Sequence, residues 1–313
     1  MSAFATVRLA TRGSPLARRQ ADQVAALLRA VVPGLVVEPV VVRTEGDRRA
    51  DVPLDRIGGQ GAFVKAVQEA VVEGRADLAV HSAKDLPPVT PEGLRLAAVP
   101  PRADPRDALV GGTLDGLGTG ATVATGSVRR RAQLANLRPD LRFVELRGNM
   151  ATRVGRVADG AVDVVVVAAA AMDRLGWGDR IAERLATSTV LPQVGQGALA
   201  VECRADDDGT ATLLAGVDDP GAHRAVDAER ALLAALAGSC TVPVGGWSEP
   251  SGEGAGLRLH GMVASGDGRV VVRAALGGDD PASLGRDLAA HLLDACGGRS
   301  VDGWAPAVPG RAR

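Results

Sequence analysis

Aromatic residues are scarce in this 313-residue chain, which has three phenylalanines, three tryptophans and no tyrosine. Lysine is scarcer still, because Lys65 and Lys84 are the only two among 36 basic residues. This bias is typical of a GC-rich genome, so a high arginine content does not by itself indicate a function. The formal net charge of −1 excludes a general attraction to nucleic acid or to a membrane surface.

Cysteine and long apolar runs are also rare. Cys203, Cys240 and Cys296 lie far apart, are odd in number and have no spacing typical of zinc ligands. The N-terminus lacks the apolar run of a signal peptide, and no later segment is long enough to span a membrane. The sequence therefore predicts a reduced, cytoplasmic protein without a metal site.

Strand and helix patterns alternate through the first two thirds of the chain, which predicts an α/β fold with mainly parallel sheets. Strands are predicted at residues 7–11, 36–43, 78–81, 94–99, 122–125, 141–145 and 162–167, with a linker at 100–105. Helices are predicted at 15–30, 62–73, 128–137, 151–159 and 168–175.

The last hundred residues follow a different pattern. A helix at 222–236, a hairpin of strands 257–264 and 270–276, and a helix at 283–295 predict a small α+β domain. The residues after 298 are rich in Gly, Pro and Arg and are predicted to be disordered.

Polar side chains follow the short buried strand at 78–81. Ser82, Lys84 and Asp85 come directly after it, and Pro87 and Pro88 then force the chain out of the strand. Ligands of open α/β sheets bind at this carboxyl edge. Adjacent charges on a turn are more often simply solvated, so this segment alone does not indicate a binding site, and the evidence for one must come from other residues.

Six arginines are predicted at the carboxyl ends of strands or at the helix starts beside them, where anions are favoured. They are Arg12, Arg129, Arg130, Arg147, Arg153 and Arg174. Guanidinium groups pair with carboxylates in a bidentate manner, so a ligand with several carboxylates is predicted. Arg131 should point away from this face into solvent.

Cys240 lies between glycines and prolines in the segment GSCTVPVG. A free cysteine is most often a small buried hydrophobe, which is how we interpret Cys203, while Cys296 falls at a helix end. The flanking residues of Cys240 instead favour a loop that holds a thiol in one place. The histidines show no relationship typical of cysteine hydrolases, so a permanently modified thiol fits better.

Seven segments, in the same order along the chain, resemble the porphobilinogen deaminase family over nearly the whole length. They are LATRGSPLARRQA (9–21), GGQGAFVKAV (58–67), AVHSAKDLP (79–87), TGSVRRRAQL (125–134), LRGNMATRV (146–154), VGQGALAVECR (194–204) and GSCTVPVG (238–245).

The resemblance implies a monomer with two type II periplasmic-binding-protein-like α/β domains, with mainly parallel sheets, and a small C-terminal α+β domain. Domain 1 would comprise residues 1–99 and 195–217, domain 2 residues 100–194 and domain 3 residues 218–298. Residues 299–313 would form the disordered tail.

The resemblance also implies a reaction. Four porphobilinogens are joined head to tail with loss of ammonia, and hydroxymethylbilane is released. The growing oligopyrrole would be built on a dipyrromethane cofactor attached to Cys240 through a thioether. Asp85 matches the catalytic carboxylate, which would stabilise positive charge on pyrrole nitrogens and move protons.

Further roles follow from the resemblance, residue by residue. The cofactor would be held by Ser82, Lys84, Thr125, Ser127, Arg129, Arg130 and Arg153. The substrate would be bound by Arg12, Ser14, Phe63, Arg147, Arg174 and Gln196. His81 would be structural.

The chain departs from the family pattern at two places. Arg56 and Gln60 stand in the glycine loop, which often carries lysines in the family. Ala171 stands where a glycine is usual, so its methyl group would face the cofactor.

Two alternative functions remain open from the residues alone. A two-lobed, non-catalytic module that binds carboxylate ligands could share this fold, although it would have no need of Cys240. A different enzyme acting on multi-carboxylate substrates would need a nucleophile or a metal site, and the sequence offers neither.

Overall fold

The structure is a computed structural model that describes residues 6–42, 61–236, 243–252 and 256–301. Cys240, Arg56 and Gln60 lie outside the described residues, as does the side chain of Phe63. Among the helices described, none is both long enough and apolar enough to cross a membrane.

The first sheet has the strand order β2-β1-β3-β10-β4. Its strands are β1 (Thr6–Arg12), β2 (Val36–Val42), β3 (Leu78–Ser82), β4 (Leu94–Ala98) and β10 (Leu199–Arg204). The strand β1 pairs in parallel with β2 and β3, whereas β10 is antiparallel to both β3 and β4. The sheet is therefore mainly parallel, with one reversed strand that enters from a distant part of the chain.

Helices cover both faces of this sheet. One face carries α1 (Pro15–Val31) and α6 (Asp208–Ala215), and the other carries α2 (Gly61–Val72). The start of α1 is set locally, because the Ser14 Oγ accepts a hydrogen bond from the Ala17 N–H at 3.2 Å and Pro15 occupies the first turn. We call this sheet and its helices the first lobe.

The second sheet has the order β7-β6-β8-β5-β9 and again contains one reversed strand, β5. Its strands are β5 (Asp107–Val110), β6 (Thr122–Ala124), β7 (Arg142–Val144), β8 (Val164–Ala168) and β9 (Glu183–Arg184). The helix α3 (Val128–Leu137) packs on one face, and α4 (Met150–Ala158) and α5 (Ala169–Arg174) pack on the other. This sheet and its helices form the second lobe.

The C-terminal unit is an antiparallel sheet of β11 (Val244–Pro250), β12 (Leu257–Ala264) and β13 (Val271–Gly278). Two helices, α7 (Pro220–Ala235) and α8 (Pro281–Ala290), bury the leucines of one face. The other face packs on α3 of the second lobe through Met262 and Ala264. At the β12–β13 turn, Gly268 has φ +78°, and an added Cβ would lie 2.4 Å from the Ala132 carbonyl oxygen.

The predicted fold class is confirmed, as are the predicted strands and helices to within a few residues at their ends. The sequence missed the strands β5, β9, β10 and β11 and the helix α6. The helix predicted at 283–295 is α-helical only to Ala290, and a π-helical turn, His291–Ala295, follows. Ordered structure continues past the predicted end at residue 298, because Gly298–Ser300 form a 3-10 turn and Val301 is buried.

The chain crosses between the lobes twice. Residues 99–106 lead from β4 to β5, and residues 185–198 lead from β9 back to β10. We call these the first and second crossing segments. They lie side by side, since the Ala103 N–H donates to the Gly197 carbonyl oxygen at 3.2 Å. The domain boundaries predicted at 99, 194 and 217 remain predictions.

Candidate active site

The segment after β3 delivers its polar side chains to one edge of the first sheet. The strand ends at Ser82, and a 3-10 turn, Ala83–Asp85, follows before the prolines. Asp85 shares a small depression with Arg12 and Ser14 from the end of the parallel neighbour β1. The predicted convergence of these residues at the carboxyl edge is therefore found.

Hydroxyl groups in this depression are partly engaged within the chain. The Gln20 Nε2 donates to the Ser82 Oγ at 2.7 Å, and the Ser14 Oγ caps α1. The second lobe repeats the pattern at the start of α3. There the Thr125 Oγ1 accepts from the Ser127 N–H at 3.2 Å, and the Ser127 Oγ accepts from the Arg130 N–H at 3.4 Å.

Lys84 reaches from the first lobe towards the second. Its Nζ donates to the Gln196 Oε1 at 3.2 Å. Burial lowers the Lys84 pKa to about 8, and the positive charge of Arg130 adds to this effect. The carboxylates of Asp85 and Asp107 act in the opposite direction without cancelling it.

The two arginines at the start of α3 are buried rather than solvent-facing. Arg129 and Arg130 are 3% and 7% exposed, and both form ion pairs with the fully buried Asp107 at 2.8 and 2.7 Å. Arg131, predicted to face solvent, is exposed.

The sequence reasoning missed Asp107. It stands at the head of β5 in the otherwise apolar segment Asp-Ala-Leu-Val, which is an unusual place for a carboxylate, and that position is the signal that could have revealed it.

Gln196 lies at the centre of this network and is fully buried. Its Nε2 donates to the Pro105 carbonyl oxygen and to the Asp107 Oδ1, both at 2.8 Å. Its Oε1 accepts from Lys84 and from the Arg130 Nη2, the latter at 3.4 Å. Both polar atoms are thus used within the chain, and direct contact of Gln196 with substrate stays a prediction.

Arg153 and Arg147 belong to the second lobe. The Arg153 Nε donates to the Gly148 carbonyl oxygen at 2.8 Å from the first turn of α4. Burial lowers the pKa of Arg153, the charge of Arg130 lowers it further, and Asp85 opposes both. Arg153 is therefore within electrostatic range of Arg130 in its own lobe and of Asp85 in the other. Arg147 is exposed and pairs with Glu145.

Arg174, at the end of α5, spans the lobes. Its Nη2 donates to the Gly197 carbonyl oxygen at 2.8 Å, and its Nε lies 3.4 Å from the Gln23 Oε1 of α1. Burial lowers the Arg174 pKa to about 10. On the same helix Ala171 is buried, so its methyl group is enclosed by protein.

His81 points into the protein, as the structural role predicts. Its Nε2 lies 3.2 Å from the Glu202 Oε2 of β10, and that oxygen also accepts from the Gln68 Nε2 at 2.8 Å. Burial raises the pKa of Glu202, but the neighbouring His81 outweighs this and holds it below its usual value.

The site residues suit a ligand with several carboxylates. Burial lowers the pKa of Lys84, Arg129, Arg153 and Arg174, which means that nearby anions do not fully compensate these cations. The buried Nε of Arg129 has no acceptor among the described residues, while its Nη2 pairs with Asp107. Within the same residues, no group of His, Cys, Asp and Glu side chains is arranged to hold a metal ion.

Comparison with known sequences identifies the family. A family model described as "Porphobilinogen deaminase, dipyromethane cofactor binding domain" matches residues 7–212, and one described as "Porphobilinogen deaminase, C-terminal domain" matches residues 223–294.

Curated relatives agree with the family models. A porphobilinogen deaminase of Syntrophus aciditrophicus is 46% identical over 94% of this chain and 96% of its own length. One of Roseiflexus castenholzii is 48% identical over 93% and 97%. One of Rubrobacter xylanophilus is 49% identical over 91% and 93%.

Two solved structures resemble the chain distantly. The methionine-binding protein MetQ is 13% identical over 70% of this chain and 92% of its own, with a TM-score of 0.41. The VFT2 domain of Bordetella pertussis BvgS is 20% identical over 68% and 86%, with a TM-score of 0.39. These values are too low to support an inference about ligands.

The chain is a two-lobed α/β protein with an appended α+β unit, and its family models and curated relatives identify it as a transferase. The chain belongs to the porphobilinogen deaminase family. It is a hydroxymethylbilane synthase of porphyrin and haem biosynthesis, with porphobilinogen as substrate and dipyrromethane as cofactor. The alternative of a non-catalytic binding module is not favoured.

Proposed function

We propose that Asp85 is the catalytic carboxylate of this transferase and that the surrounding cations hold the carboxylates of cofactor and substrate. The observation that carries the proposal is that Asp85 shares a depression at the sheet edge with Arg12 and Ser14 and lies within electrostatic range of Lys84 and Arg153. Its negative charge acts on the pKa of both groups. A single carboxylate in a cationic cleft is suited to stabilise positive charge that develops on a substrate nitrogen.

The cofactor side of the cleft is proposed to consist of Lys84, Arg129, Arg130 and Arg153, with the hydroxyls of Ser82, Thr125 and Ser127. When bound, the dipyrromethane supplies the pyrrole carbon to which porphobilinogen is added. The cations orient its carboxylates through charge-assisted hydrogen bonds, which are shorter and stronger than neutral ones. We propose that the covalent bond is a thioether to Cys240.

Substrate carboxylates are proposed to meet a second group of residues nearer the depression: Arg12, Ser14, Phe63, Arg147, Arg174 and Gln196. Arg12, Ser14 and Asp85 already share that depression. Asp85 can then accept a proton from the bound pyrrole and return it later, because it is within reach of the same pocket.

Intact-mass spectrometry with Asp85→Asn tests the catalytic role. We expect the variant to fold like the parent, to lose turnover of porphobilinogen and to add no further pyrrole units to the protein. Glu92→Gln, which alters an exposed carboxylate of the same lobe, should turn over normally. Near-normal turnover by Asp85→Asn would exclude Asp85 as the catalytic carboxylate.

The covalent attachment needs its own variant. Purified Cys240→Ala should lack the two-pyrrole mass increment that the parent carries, whereas Cys296→Ala should retain it. An increment that persists in Cys240→Ala would place the attachment at another residue.

We also propose that the enzyme works as a monomer in the cytoplasm. The family resemblance favours a monomer, and Cys203 and Cys296 are free thiols, which are typical of a reducing compartment. Light scattering of the purified enzyme should give the mass of one chain. Cell fractionation should recover it with cytoplasmic markers, and recovery in another fraction would contradict the proposal.

A further inference from the structure

Asp107 is a buried carboxylate to which the family reaction assigns no role. It is the first residue of β5 and is 0% exposed. Its Oδ1 accepts from the Arg130 Nε and from the Gln196 Nε2, both at 2.8 Å. Its Oδ2 lies 2.8 Å from the Arg129 Nη2. One carboxylate therefore contacts three side chains that the proposed function places in the cleft.

The charge of Asp107 is fixed. Burial raises its pKa, but the charges of Arg129 and Arg130 outweigh burial and hold the pKa well below its usual value. The carboxylate is consequently ionised at neutral pH. Without it, the two buried guanidinium groups would lose their ion-pair partner, and the Lys84 ammonium would keep Asp85 as its nearby anion.

Asp107 also determines which arginine atoms remain for a ligand. Arg130 directs its Nε and Nη2 at Asp107 and donates from Nη1 to the Val166 carbonyl oxygen at 3.0 Å. Arg129 donates from Nη1 to the Leu191 carbonyl oxygen and places its Nη2 2.8 Å from the Asp107 Oδ2, but its Nε has no acceptor in the described part of the chain. A guanidinium has five N–H donors. Arg130 uses nearly all of its donors within the protein, whereas Arg129 does not.

Gln196 extends the influence of Asp107 to the first lobe. Its Nε2 is held by Asp107 and by the Pro105 carbonyl oxygen, so its Oε1 must face the opposite way. That oxygen accepts the hydrogen bond of the Lys84 Nζ. The orientation of the amide, and with it the position of the ammonium, follows from the carboxylate behind it.

We propose that Asp107 is a positioning residue for the transferase reaction, which orients Arg129, Arg130 and, through Gln196, Lys84 for a ligand carboxylate. The inference rests on the proposed function, which assigns these three cations to the cofactor. Donors that are already oriented need no reorganisation when the ligand binds, and this is the source of strong electrostatic stabilisation.

The low lysine content allows a direct test. Because Lys65 and Lys84 are the only lysines, reductive methylation with 13C-formaldehyde gives two dimethyl-lysine signals in NMR spectra, plus that of the N-terminus. Lys65 is exposed and serves as the reference. The titration is followed in a Cys240→Ala background, which mass spectrometry shows to be free of covalent pyrrole, so that cofactor carboxylates do not contribute.

Asp107→Asn should lower the pKa of Lys84 from its value of about 8, because a negative charge that favours the ammonium is removed. With Cys240 present, turnover should fall about 10- to 100-fold through misplaced ligand carboxylates. Asp140→Asn is the matched control, since Asp140 pairs with Arg138 just past the C-terminal end of α3. It should change neither the Lys84 titration nor turnover.

Gln196→Leu keeps every charge and breaks only the amide bridge, so it decides the question if Asp107→Asn does not fold. It should also lower the Lys84 pKa. An unchanged Lys84 titration in each variant that folds would overturn the positioning role.

Lys84→Gln and Arg129→Gln separate the two proposals. If both lose cofactor loading while Asp107→Asn and Gln196→Leu match the parent, the proposed function stands and the role of Asp107 falls. If Lys84→Gln and Arg129→Gln load and turn over normally, the proposed function itself fails.

Discussion

Arg102 and Glu229 form a buried, bidentate ion pair between the first crossing segment and α7. The Nη1···Oε1 and Nη2···Oε2 distances are 2.6 and 3.1 Å, and the Glu229 side chain is 0% exposed. Oε2 also accepts from the Gly195 N–H at 2.7 Å, and Oε1 from the Ser248 N–H at 2.8 Å. One carboxylate thereby joins both crossing segments to the C-terminal unit.

Glu229→Gln should destabilise the protein by about 3–5 kcal/mol, because it leaves the Arg102 guanidinium buried without its anion. Denaturant unfolding measures the loss. Glu249→Gln is the control, since Glu249 pairs with a more exposed partner, His260, and should cost about 1 kcal/mol or less. Equal losses of unfolding free energy in the two variants would show that the buried Glu229 ion pair stabilises the protein no more than the more exposed Glu249 pair does.

Lys84 should make the stability of the chain depend on alkaline pH. Its pKa is about 8 in the folded protein, against 10.5 ordinarily, so the unfolded chain binds more protons between these values. Stability should rise with pH across this window, because the folded state favours the neutral amine, and the penalty should be complete below pH about 8.

This pH dependence is measured as the unfolding free energy of Cys240→Ala chains with and without Lys84→Met. The excess rise with pH should vanish in the Lys84→Met chain and persist in a Lys65→Met control. Identical pH dependence in all three chains would show that burial of Lys84 is not coupled to folding.

Gly197→Ala should disturb the contact between the crossing segments. Gly197 has φ +88°, and an added Cβ would lie 2.4 Å from the Ala103 carbonyl oxygen. Because the Gly197 carbonyl oxygen also accepts from Arg174, we expect turnover to fall together with stability.

Gly176→Ala is the control that separates the effect of the steric clash at Gly197 from the effect of backbone strain. Gly176 also has a positive φ, +74°, but no atom lies within 4 Å of an added Cβ. It should cost about 1–2 kcal/mol, from the left-handed conformation alone. Unfolding midpoints and turnover of the two variants should therefore differ, and matching values would argue against a close approach at Gly197.

Arg153→Gln should weaken the hold on ligand carboxylates, since Arg153 faces the cleft near Arg130 and Asp85. We expect less cofactor loading by intact mass and a higher KM in the fraction that loads. Arg156→Gln, on the exposed side of the same helix, should behave like the parent. Full loading with an unchanged KM would remove Arg153 from the ligand-holding group.

The site was only partly predictable from the sequence. The location of Asp85 and Lys84 at the sheet edge is predictable because a short apolar strand followed by two prolines is a local pattern. Arg129 and Arg130 were placed correctly at a helix start, but the sequence could not show that Asp107 already pairs with them. That pairing joins residues far apart in the chain and depends on β5 lying beside β8.

The strands that were missed share one property. The residues of β5 and β9 are few, β10 is buried at its first five positions, and β11 contains two glycines, so none has a strong alternating pattern. Each is a strand because a neighbouring strand supplies its hydrogen bonds, and only the tertiary structure decides which strands are neighbours.

The sequence by itself determined where helices begin, which residues end the parallel strands and which family the motifs resemble, because capping, periodicity and motif order are local. Only the tertiary structure decided how the charges are shared. It placed Asp107 behind Arg129 and Arg130, and Gln196 between Asp107 and Lys84. Charge interactions depend on distance and burial, and both arise only when the two lobes and their crossing segments come together.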